Sequence, residues 1–236
     1  ISENMNRGQF LAQSQSIQQL NVPAISAIRE LYERGVASGV FRHGRATLQE
    51  GDEVVYYRDG KTTSVATVMS QNGSVQIATN GKTDAAIQMQ DDLPAALDEP
   101  TMVFLGTLPL AMHSSPERVG VIGFGSGLTT HTLLADPRIK SVDTIEIEPA
   151  MIEGARAFGP RVERAYKDPR SHIIIDDAKS YFSGQRSKYD IIISEPSNPW
   201  VSGVGSLFTR QFYGFLGEHL EDDGILIQWV HIYELD

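Results

Sequence analysis

A glycine-rich turn between two apolar segments most constrains how this chain can fold. The apolar run Val119–Ile122 leads into Gly123, Gly125 and Gly127, and Glu146 ends the next apolar run. This order predicts a strand, a tight turn, a helix and a second strand with a carboxylate at its tip. In α/β folds the bare backbone of such a turn approaches a nucleoside, and the acid accepts hydrogen bonds from its ribose hydroxyls. The segment therefore predicts a nucleoside-binding sheet, although a purely structural strand–helix turn would use the same glycines.

The spacing of the glycines indicates the kind of nucleoside. They follow the pattern G-x-G-x-G, whereas a dinucleotide fingerprint needs a further glycine at the position of Leu128. The tighter spacing is typical of AdoMet-binding folds, whose ligand carries no pyrophosphate. We therefore expect Ser126 and the three glycines around it to contact the cofactor.

Alternating strand and helix patterns continue from Arg118 to the end of the chain. The sequence predicts strands at 118–123, 141–147, 172–176, 189–194 and 224–230, and helices near 127–135, 149–158, 178–183 and 206–220. Near-continuous apolar runs are typical of parallel strands, because helices cover both faces of the sheet. We therefore expect an α/β fold with a mostly parallel, Rossmann-like sheet of the AdoMet-methyltransferase type.

The region before this sheet has a different pattern. Its strand-forming runs are separated by the dipeptides Asp59-Gly60, Asn72-Gly73 and Asn80-Gly81, which favour tight hairpins. We therefore predict three parts: an N-terminal arm and helix over 1–40, a small antiparallel β domain over 41–90, and the α/β domain over 91–236.

The composition disfavours several classes of function. Thirty acidic and 20 basic residues give a net charge of −10, which disfavours nucleic acid as a partner and suits a cationic substrate. The absence of cysteine excludes disulfides and thiolate metal sites. The six histidines lack the spacing of metal ligands, so we expect no metal. With no signal peptide and no run of 18 apolar residues, we expect a cytoplasmic protein or the soluble domain of a membrane protein.

Two neighbouring acids follow the third predicted strand of the α/β domain. Asp176 and Asp177 come directly after an apolar run, at the strand end where open α/β sheets place ligands. Either carboxylate can accept a hydrogen bond from an exocyclic amine such as that of adenine. Either can also cap the helix predicted over 178–183. The sequence leaves both roles open.

A stiff loop follows the fourth predicted strand. It contains Glu195, Asn198 and Trp200 together with two prolines, and it is expected to lie over the carboxyl edge of the sheet. A carboxylate at Glu195 can take a proton from an attacking amine or hold a cation. A rigid loop with Trp200 as an apolar plug is the structural alternative, and the two interpretations are compatible.

The order of these features resembles the spermidine synthase family of aminopropyltransferases. The likeness runs from about residue 53 to the end of the chain, and it is carried by Asn80-Gly81, Leu108–Leu110, Val121–Gly127, Ile145–Glu148, Asp176-Asp177, Tyr189–Ile193 with its acidic tip, Ser206–Phe208 and Phe212-Tyr213. The resemblance implies a small N-terminal β domain joined to an AdoMet-methyltransferase-like domain. The details look like a divergent bacterial branch, in which this domain is often fused to membrane segments.

The resemblance also implies roles for individual residues. Glu146 would hold the ribose, Asp177 the adenine amine, and Glu195 would deprotonate the attacking amine. The implied co-substrate is decarboxylated AdoMet, or AdoMet itself, and the implied partner is a polyamine or other small amine. A homodimer through the β domain is also implied.

Five positions depart from the family pattern, and one of them is Met102, which stands where the family has a glutamine. Ser126 replaces an aspartate of the glycine turn, Asn198 replaces an acid that helps to bind the diamine, and Glu195 replaces the shorter catalytic aspartate. Asp84 stands where a substrate-side glutamine is expected. We expect Asp84, Asn198 and Trp200 on the amine side of the site, where the two lost acids predict weaker recognition of a diamine.

Two other functions are compatible with these residues. One is AdoMet-dependent methyl transfer on the same fold, because the lost acids remove the diamine signature. The other is a non-catalytic nucleoside-binding domain of a larger membrane protein. The chain begins with Ile1 and ends soon after the fifth predicted strand, whereas the AdoMet-type sheet adds two more, so we expect a C-terminal truncation of the domain.

Overall fold

The computed structural model describes residues 48–197 and 203–230. The predicted arm and helix over 1–40 lie outside these residues, as do Asn198 and Trp200. Strands in the described part form two separate sheets, one antiparallel and one parallel. None of the helices in this part has the length and apolar character that crossing a bilayer requires.

The antiparallel sheet contains four strands in sequential order. They are β1 (Glu53–Asp59), β2 (Ser64–Met69), β3 (Ser74–Thr79) and β4 (Lys82–Gln88). The turn between β3 and β4 consists of Asn80 at φ 48° and Gly81 at φ 78°. Positive φ at both central residues gives the turn a twist that matches the twist of the strands, which is why Asn-Gly is favoured there. The predicted hairpins are confirmed.

The parallel sheet contains five strands in the order β7-β6-β5-β8-β9. They are β5 (Arg118–Ile122), β6 (Ser141–Glu146), β7 (Ser171–Ile175), β8 (Tyr189–Ser194) and β9 (Leu220–Gln228). The predicted α/β fold with a mostly parallel sheet is confirmed. Strand β9 begins four residues before the predicted 224, because Leu220 pairs with Tyr189 ahead of a register shift. The exposed acids of 221–223 concealed this start, since they break the apolar pattern.

One helix precedes the parallel strands and the others lie between them. They are α1 (Glu99–Met112), α2 (Leu128–Leu133), α3 (Pro149–Gly154), α4 (Glu163–Lys167), α5 (Ala178–Gly184) and α6 (Arg210–Gly217), with 3-10 helices at Ala155–Val162 and Val204–Phe208. The helix predicted over 149–158 is wrong in its second half, which is a 3-10 segment that breaks at Gly159 (φ 50°). The helix predicted over 206–220 begins only at Arg210, because the Thr209 side chain caps it by accepting from the amide of Phe212.

Helices cover both faces of the parallel sheet. Leu105 of α1 and Leu133 of α2 pack on one face, and Phe182 of α5 and Phe212 of α6 pack on the other. A third apolar cluster joins the antiparallel sheet to α3 and to the 3-10 segment that follows it. Two faces of burial account for the near-continuous apolar strands seen in the sequence.

A buried carboxylate ties the two sheets together. Glu148, which is 2% exposed, precedes α3 and accepts hydrogen bonds from the amide (2.7 Å) and hydroxyl (2.8 Å) of Thr62 in the β1–β2 turn. It also caps α3 by accepting from the amide of Ala150 at 3.1 Å. This contact sets the position of the antiparallel sheet relative to the carboxyl edge of the parallel sheet.

Replacing Gly60 with alanine is expected to destabilise this junction. A Cβ at Gly60 would lie 2.7 Å from Oε2 of Glu148 and closer still to its other carboxylate atoms, which three hydrogen bonds hold in place. Overpacking of this kind lowers the free energy of unfolding by about 1–3 kcal/mol. Gly184→Ala is the control, because a Cβ there meets nothing within 4 Å. Urea unfolding of both variants checks the expectation, and equal midpoints would contradict it.

Candidate active site

The glycine turn between β5 and α2 needs all three of its glycines. Gly123, Gly125 and Gly127 have φ values of 96°, 51° and 85°, in the left-handed region that favours glycine. A Cβ at Gly123 would also lie 2.8 Å from the carbonyl oxygen of Glu195, so the absence of a side chain lets the ends of β5 and β8 approach. The turn therefore presents bare backbone at the carboxyl edge of the sheet.

Glu146 at the tip of β6 is bound to this turn. Its Oε2 accepts from the amide of Phe124 at 2.9 Å, and its Oε1 accepts from the amide of Glu148 at 2.9 Å. The residue is 8% exposed, and burial raises the pKa of its carboxyl although these two amides oppose the rise. The structure thus places the predicted acid directly against the predicted turn.

Glu195 follows β8 and lies close to the same place. Its Oε2 accepts a hydrogen bond of 3.0 Å from the hydroxyl of Thr129, a buried residue in the first turn of α2. Burial raises the pKa of the Glu195 carboxyl to about 8; the Thr129 hydroxyl opposes the rise, and the negative charge of Glu146 adds to it. A carboxyl with such a pKa is suited to proton transfer near neutral pH.

Asp84 brings a third carboxylate from the antiparallel sheet. It lies on β4, and its negative charge contributes to the raised pKa of Glu146. Its Oδ1 accepts from Lys82 Nζ at 2.6 Å and from Ser197 Oγ at 3.0 Å. We call Asp84, Glu146, Glu195 and the glycine turn the carboxylate cleft, because the two sheets bring them together.

Asp176 and Asp177 lie beside Glu146, because β7 is paired with β6. The amide of Asp176 donates to the carbonyl of Glu146 at 3.1 Å. Oδ1 of Asp177 accepts from the amide of Ser180 at 3.0 Å and so caps α5, as one of the two predicted roles requires. A capping carboxylate keeps a second oxygen for other donors, so the adenine-binding role stays a prediction.

Ser126 is directed away from the surface of the turn. Its hydroxyl donates to the sulfur of Met102 on α1 at 3.1 Å and accepts from the amide of Leu128 at 3.3 Å. The residue is only 1% exposed, so its side chain fastens the turn to α1. A contact between Ser126 and a cofactor, which we predicted, is therefore restricted to its backbone.

A family model decides the family of the chain. The model of the spermine/spermidine synthase domain matches residues 102–232, more than half of the chain. The chain belongs to this family. A second model, the tetracyclin repressor-like C-terminal domain, matches residues 1–49, nearly all of which lie outside the described residues.

Curated relatives of this spermine/spermidine synthase family member are named polyamine aminopropyltransferases. The protein of Thermoanaerobacter pseudethanolicus is 32% identical over 120 residues, which are 51% of this chain and 43% of the relative. The protein of Clostridium perfringens is 33% identical over 120 residues, which are 51% of this chain and 42% of the relative. The chain thus spans less than half the length of these relatives.

Solved spermidine synthases share the fold. One, crystallised with the transition-state analogue AdoDATO, superposes with a TM-score of 0.64 at 24% identity, covering 73% of this chain and 56% of that one. The enzyme of Thermotoga maritima gives a TM-score of 0.62 at 23% identity, covering 73% and 55%. The predicted family and the predicted methyltransferase-like fold with its small N-terminal sheet are confirmed.

Three residues next to the carboxylate cleft were not predicted from the sequence. Lys82 was not predicted because a lysine next to a hairpin turn is usually exposed to solvent. Thr129 was not predicted because no neighbouring residue indicates that its hydroxyl contacts Glu195. Ile147 is 49% exposed between the acids Glu146 and Glu148, and it offers an apolar surface at the edge of the sheet.

A shallow groove of about 290 Å³ lies elsewhere, next to α5 and α6. It is lined by Lys179, Ser183, Thr209, Gln211, Phe212 and Phe215. It shares no residue with the carboxylate cleft, and its lining has no carboxylate with a shifted pKa. We therefore take the cleft as the candidate active site of this family member. In the described parts of the chain, no three histidine or acidic side chains are grouped as metal ligands.

Proposed function

We propose that this domain is a transferase that binds decarboxylated AdoMet at the glycine turn and transfers its aminopropyl group to an amine, with Glu195 as the base. The observation that carries the proposal is the Glu195 carboxyl, which has a pKa of about 8 and lies next to Glu146 and the turn. At such a pKa a carboxylate takes a proton from an amine far more readily than an ordinary glutamate does.

The residues of the cleft fit an adenosine with a cationic sulfur. Glu146 has about four acceptor positions, of which two backbone amides use two, so its carboxylate can also accept from both ribose hydroxyls. In this proposal Asp177, which follows the neighbouring strand β7, accepts from the adenine amine, and the exposed Ile147 offers an apolar surface to the base. A cleft lined by acidic side chains favours a donor that carries a sulfonium and an ammonium but no carboxylate.

The proposed reaction is a single displacement. The bound nucleoside supplies a carbon activated by the adjacent sulfonium. The amine nitrogen forms a bond to that carbon while the carbon–sulfur bond breaks and its electron pair goes to sulfur, which leaves methylthioadenosine. Glu195 accepts the proton that the amine loses, and the rigid turn and strand ends hold the reacting groups in line.

Calorimetry with three nucleosides tests the proposal. We expect decarboxylated AdoMet and methylthioadenosine to bind with micromolar dissociation constants, and AdoMet to bind more weakly because its carboxylate meets the acidic cleft. Mass spectrometry of a mixture with small primary amines should then detect the aminopropylated amine. Failure of all three nucleosides to bind at about 1 mM would overturn the proposal.

The same measurements identify the two alternatives. A preference for AdoMet, with methylated product, would indicate a methyltransferase. Tight binding of methylthioadenosine without any Glu195-dependent turnover would indicate a non-catalytic nucleoside-binding domain. Either result would replace aminopropyl transfer as the function of the cleft.

A further inference from the structure

Lys82 and Asp84 form an ion pair inside the cleft, and the Asn-Gly turn determines their position. Thr79 pairs with Lys82 across the two-residue turn, so Lys82 is the first residue of β4. A register shift in the β3–β4 pairing leaves Asp84 between the pairs Ala78–Thr83 and Ile77–Ala85, as the extra residue of a β-bulge. The side chains of Lys82 and Asp84 both contact Ser197 after β8, so they face the parallel sheet rather than solvent.

The contacts of this pair reach the loop that carries Glu195. Lys82 Nζ lies 2.6 Å from Asp84 Oδ1 and 3.2 Å from the hydroxyl of Ser197, two residues after Glu195. The Ser197 hydroxyl in turn donates to Asp84 at 3.0 Å. The side chains of Lys82 and Asp84 are 8% and 12% exposed, so the ammonium is largely shielded from water.

Other charged groups face the same pair. Burial raises the pKa of Asp98, just before α1, while the charge of Lys82 opposes that rise and the charge of Asp84 adds to it. Asp84 also acts on Glu146, as described above. The pair therefore lies between Glu146 and the start of α1, on the side of the cleft where Asp84 was predicted to face the amine.

The side-chain ammonium of Lys82 affects which amines the cleft can bind. Asp84 already has three donors, namely Thr79, Lys82 and Ser197, so its charge is balanced without a ligand. A diamine would bring its second ammonium next to Lys82, and like charges in a shielded site repel strongly. A monoamine with a neutral far end meets no such repulsion.

We infer that the Lys82–Asp84 pair makes the amine acceptor a primary monoamine with a neutral tail, and that it excludes diamines. This inference rests on the proposed function, because it names the acceptor of that reaction. The nitrogen of the monoamine attacks the carbon next to sulfur, the carbon–sulfur bond breaks with its electrons going to sulfur, and Glu195 takes the proton.

Two amines of equal length measure the discrimination. With decarboxylated AdoMet as donor, we expect the native protein to give a kcat/KM for 4-aminobutanol at least about tenfold higher than for 1,4-diaminobutane. Lys82→Met frees Asp84 to pair with the second ammonium, and it should reverse the preference. Lys82→Met/Asp84→Asn removes both charges and avoids an unpaired buried carboxylate, so its two kcat/KM values should become nearly equal.

Lys140→Met is the matched control. Its ammonium is exposed and pairs with Glu117 on the surface, so the ratio of the two amines should stay at the native value. Binding of both amines to the complex with methylthioadenosine, measured by calorimetry, repeats the comparison without turnover.

The outcomes separate this inference from the proposed function. If amines are aminopropylated but the native protein and the double variant have the same ratio, Lys82 does not select the acceptor and the inference is overturned alone. If neither protein binds any of the nucleosides or transfers to any amine, the proposed function fails and the inference fails with it. A native preference for the diamine would also overturn the inference while leaving aminopropyl transfer intact.

Discussion

Glu195→Gln is expected to lower kcat for aminopropyl transfer by about 10²–10⁴-fold, because the amide cannot accept the proton of the attacking amine. The amide oxygen can still accept the hydrogen bond from Thr129, so the loop should keep its position. The dissociation constant for methylthioadenosine should therefore stay within about threefold of the native value. Single-turnover kinetics and calorimetry measure the two quantities separately. A parallel loss of both would mean that Glu195 holds the nucleoside rather than acting as the base.

The control for this variant is Glu218→Gln, which removes an exposed carboxylate at the end of α6. It should change neither kcat nor nucleoside affinity. A Glu218→Gln variant with the same kcat loss as Glu195→Gln would show that the effect comes from general electrostatics of this acidic chain.

The pH dependence gives a second view of Glu195. Burial raises its pKa to about 8, so kcat/KM of the native protein should rise with pH up to and through this value as the base loses its proton.

The raised pKa of Glu195 also makes the stability of the fold depend on pH. Between the ordinary value of 4.5 and about 8, the folded protein holds a proton that the unfolded chain releases. The contribution of Glu195 to stability is therefore complete below pH 4.5 and is lost as the pH rises through 8. Urea unfolding across this range should show that loss in the native protein, whereas Glu195→Gln should lack it.

Glu146→Ala is expected to have a large effect on both folding and binding. It leaves the buried amides of Phe124 and Glu148 without their acceptor, and each unpaired amide costs about 1–3 kcal/mol of unfolding free energy. It also removes the acceptor proposed for the ribose hydroxyls, so the affinity for methylthioadenosine should fall by about 100-fold or more. Unfolding in urea and calorimetry on the folded fraction measure the two losses.

Glu153→Gln is the comparison for this prediction. Glu153 is exposed and forms a surface ion pair with Arg58, so its replacement should change stability by less than about 1 kcal/mol and leave affinity unchanged. Nucleoside affinity that survives in Glu146→Ala would show that the ligand binds elsewhere than the carboxylate cleft, and the proposed function would lose its basis.

Much of the fold could be predicted because its signals are local. The apolar runs of the five parallel strands, the Asn80-Gly81 turn and the three glycines before α2 are each read within a few neighbouring residues. Where local signals conflicted with the pattern, the prediction failed. The acidic start of β9 looked like a loop, and the helix predicted to 158 ended at Gly154, where a 3-10 segment begins.

The acids of the site were visible in the sequence for the same reason. Glu146, Asp177 and Glu195 each follow an apolar strand, and the carboxyl ends of parallel strands meet at one edge of a sheet. Their residue types and chain order were therefore enough to predict a nucleoside site there. Their detailed roles stay predictions, because the ligand contacts depend on atoms that no local pattern describes.

Side-chain partners far apart in the chain were decided only by the packing of distant segments against one another. The contact of Lys82 with Ser197 spans 115 residues, and that of Thr129 with Glu195 spans 66. The pKa of Glu195 depends on its burial and on Thr129 and Glu146, and the pairing of Lys82 depends on Ser197 in the other sheet's domain. Local residue preferences carry no information about such neighbours, because desolvation and charge interaction arise only once distant segments have come together.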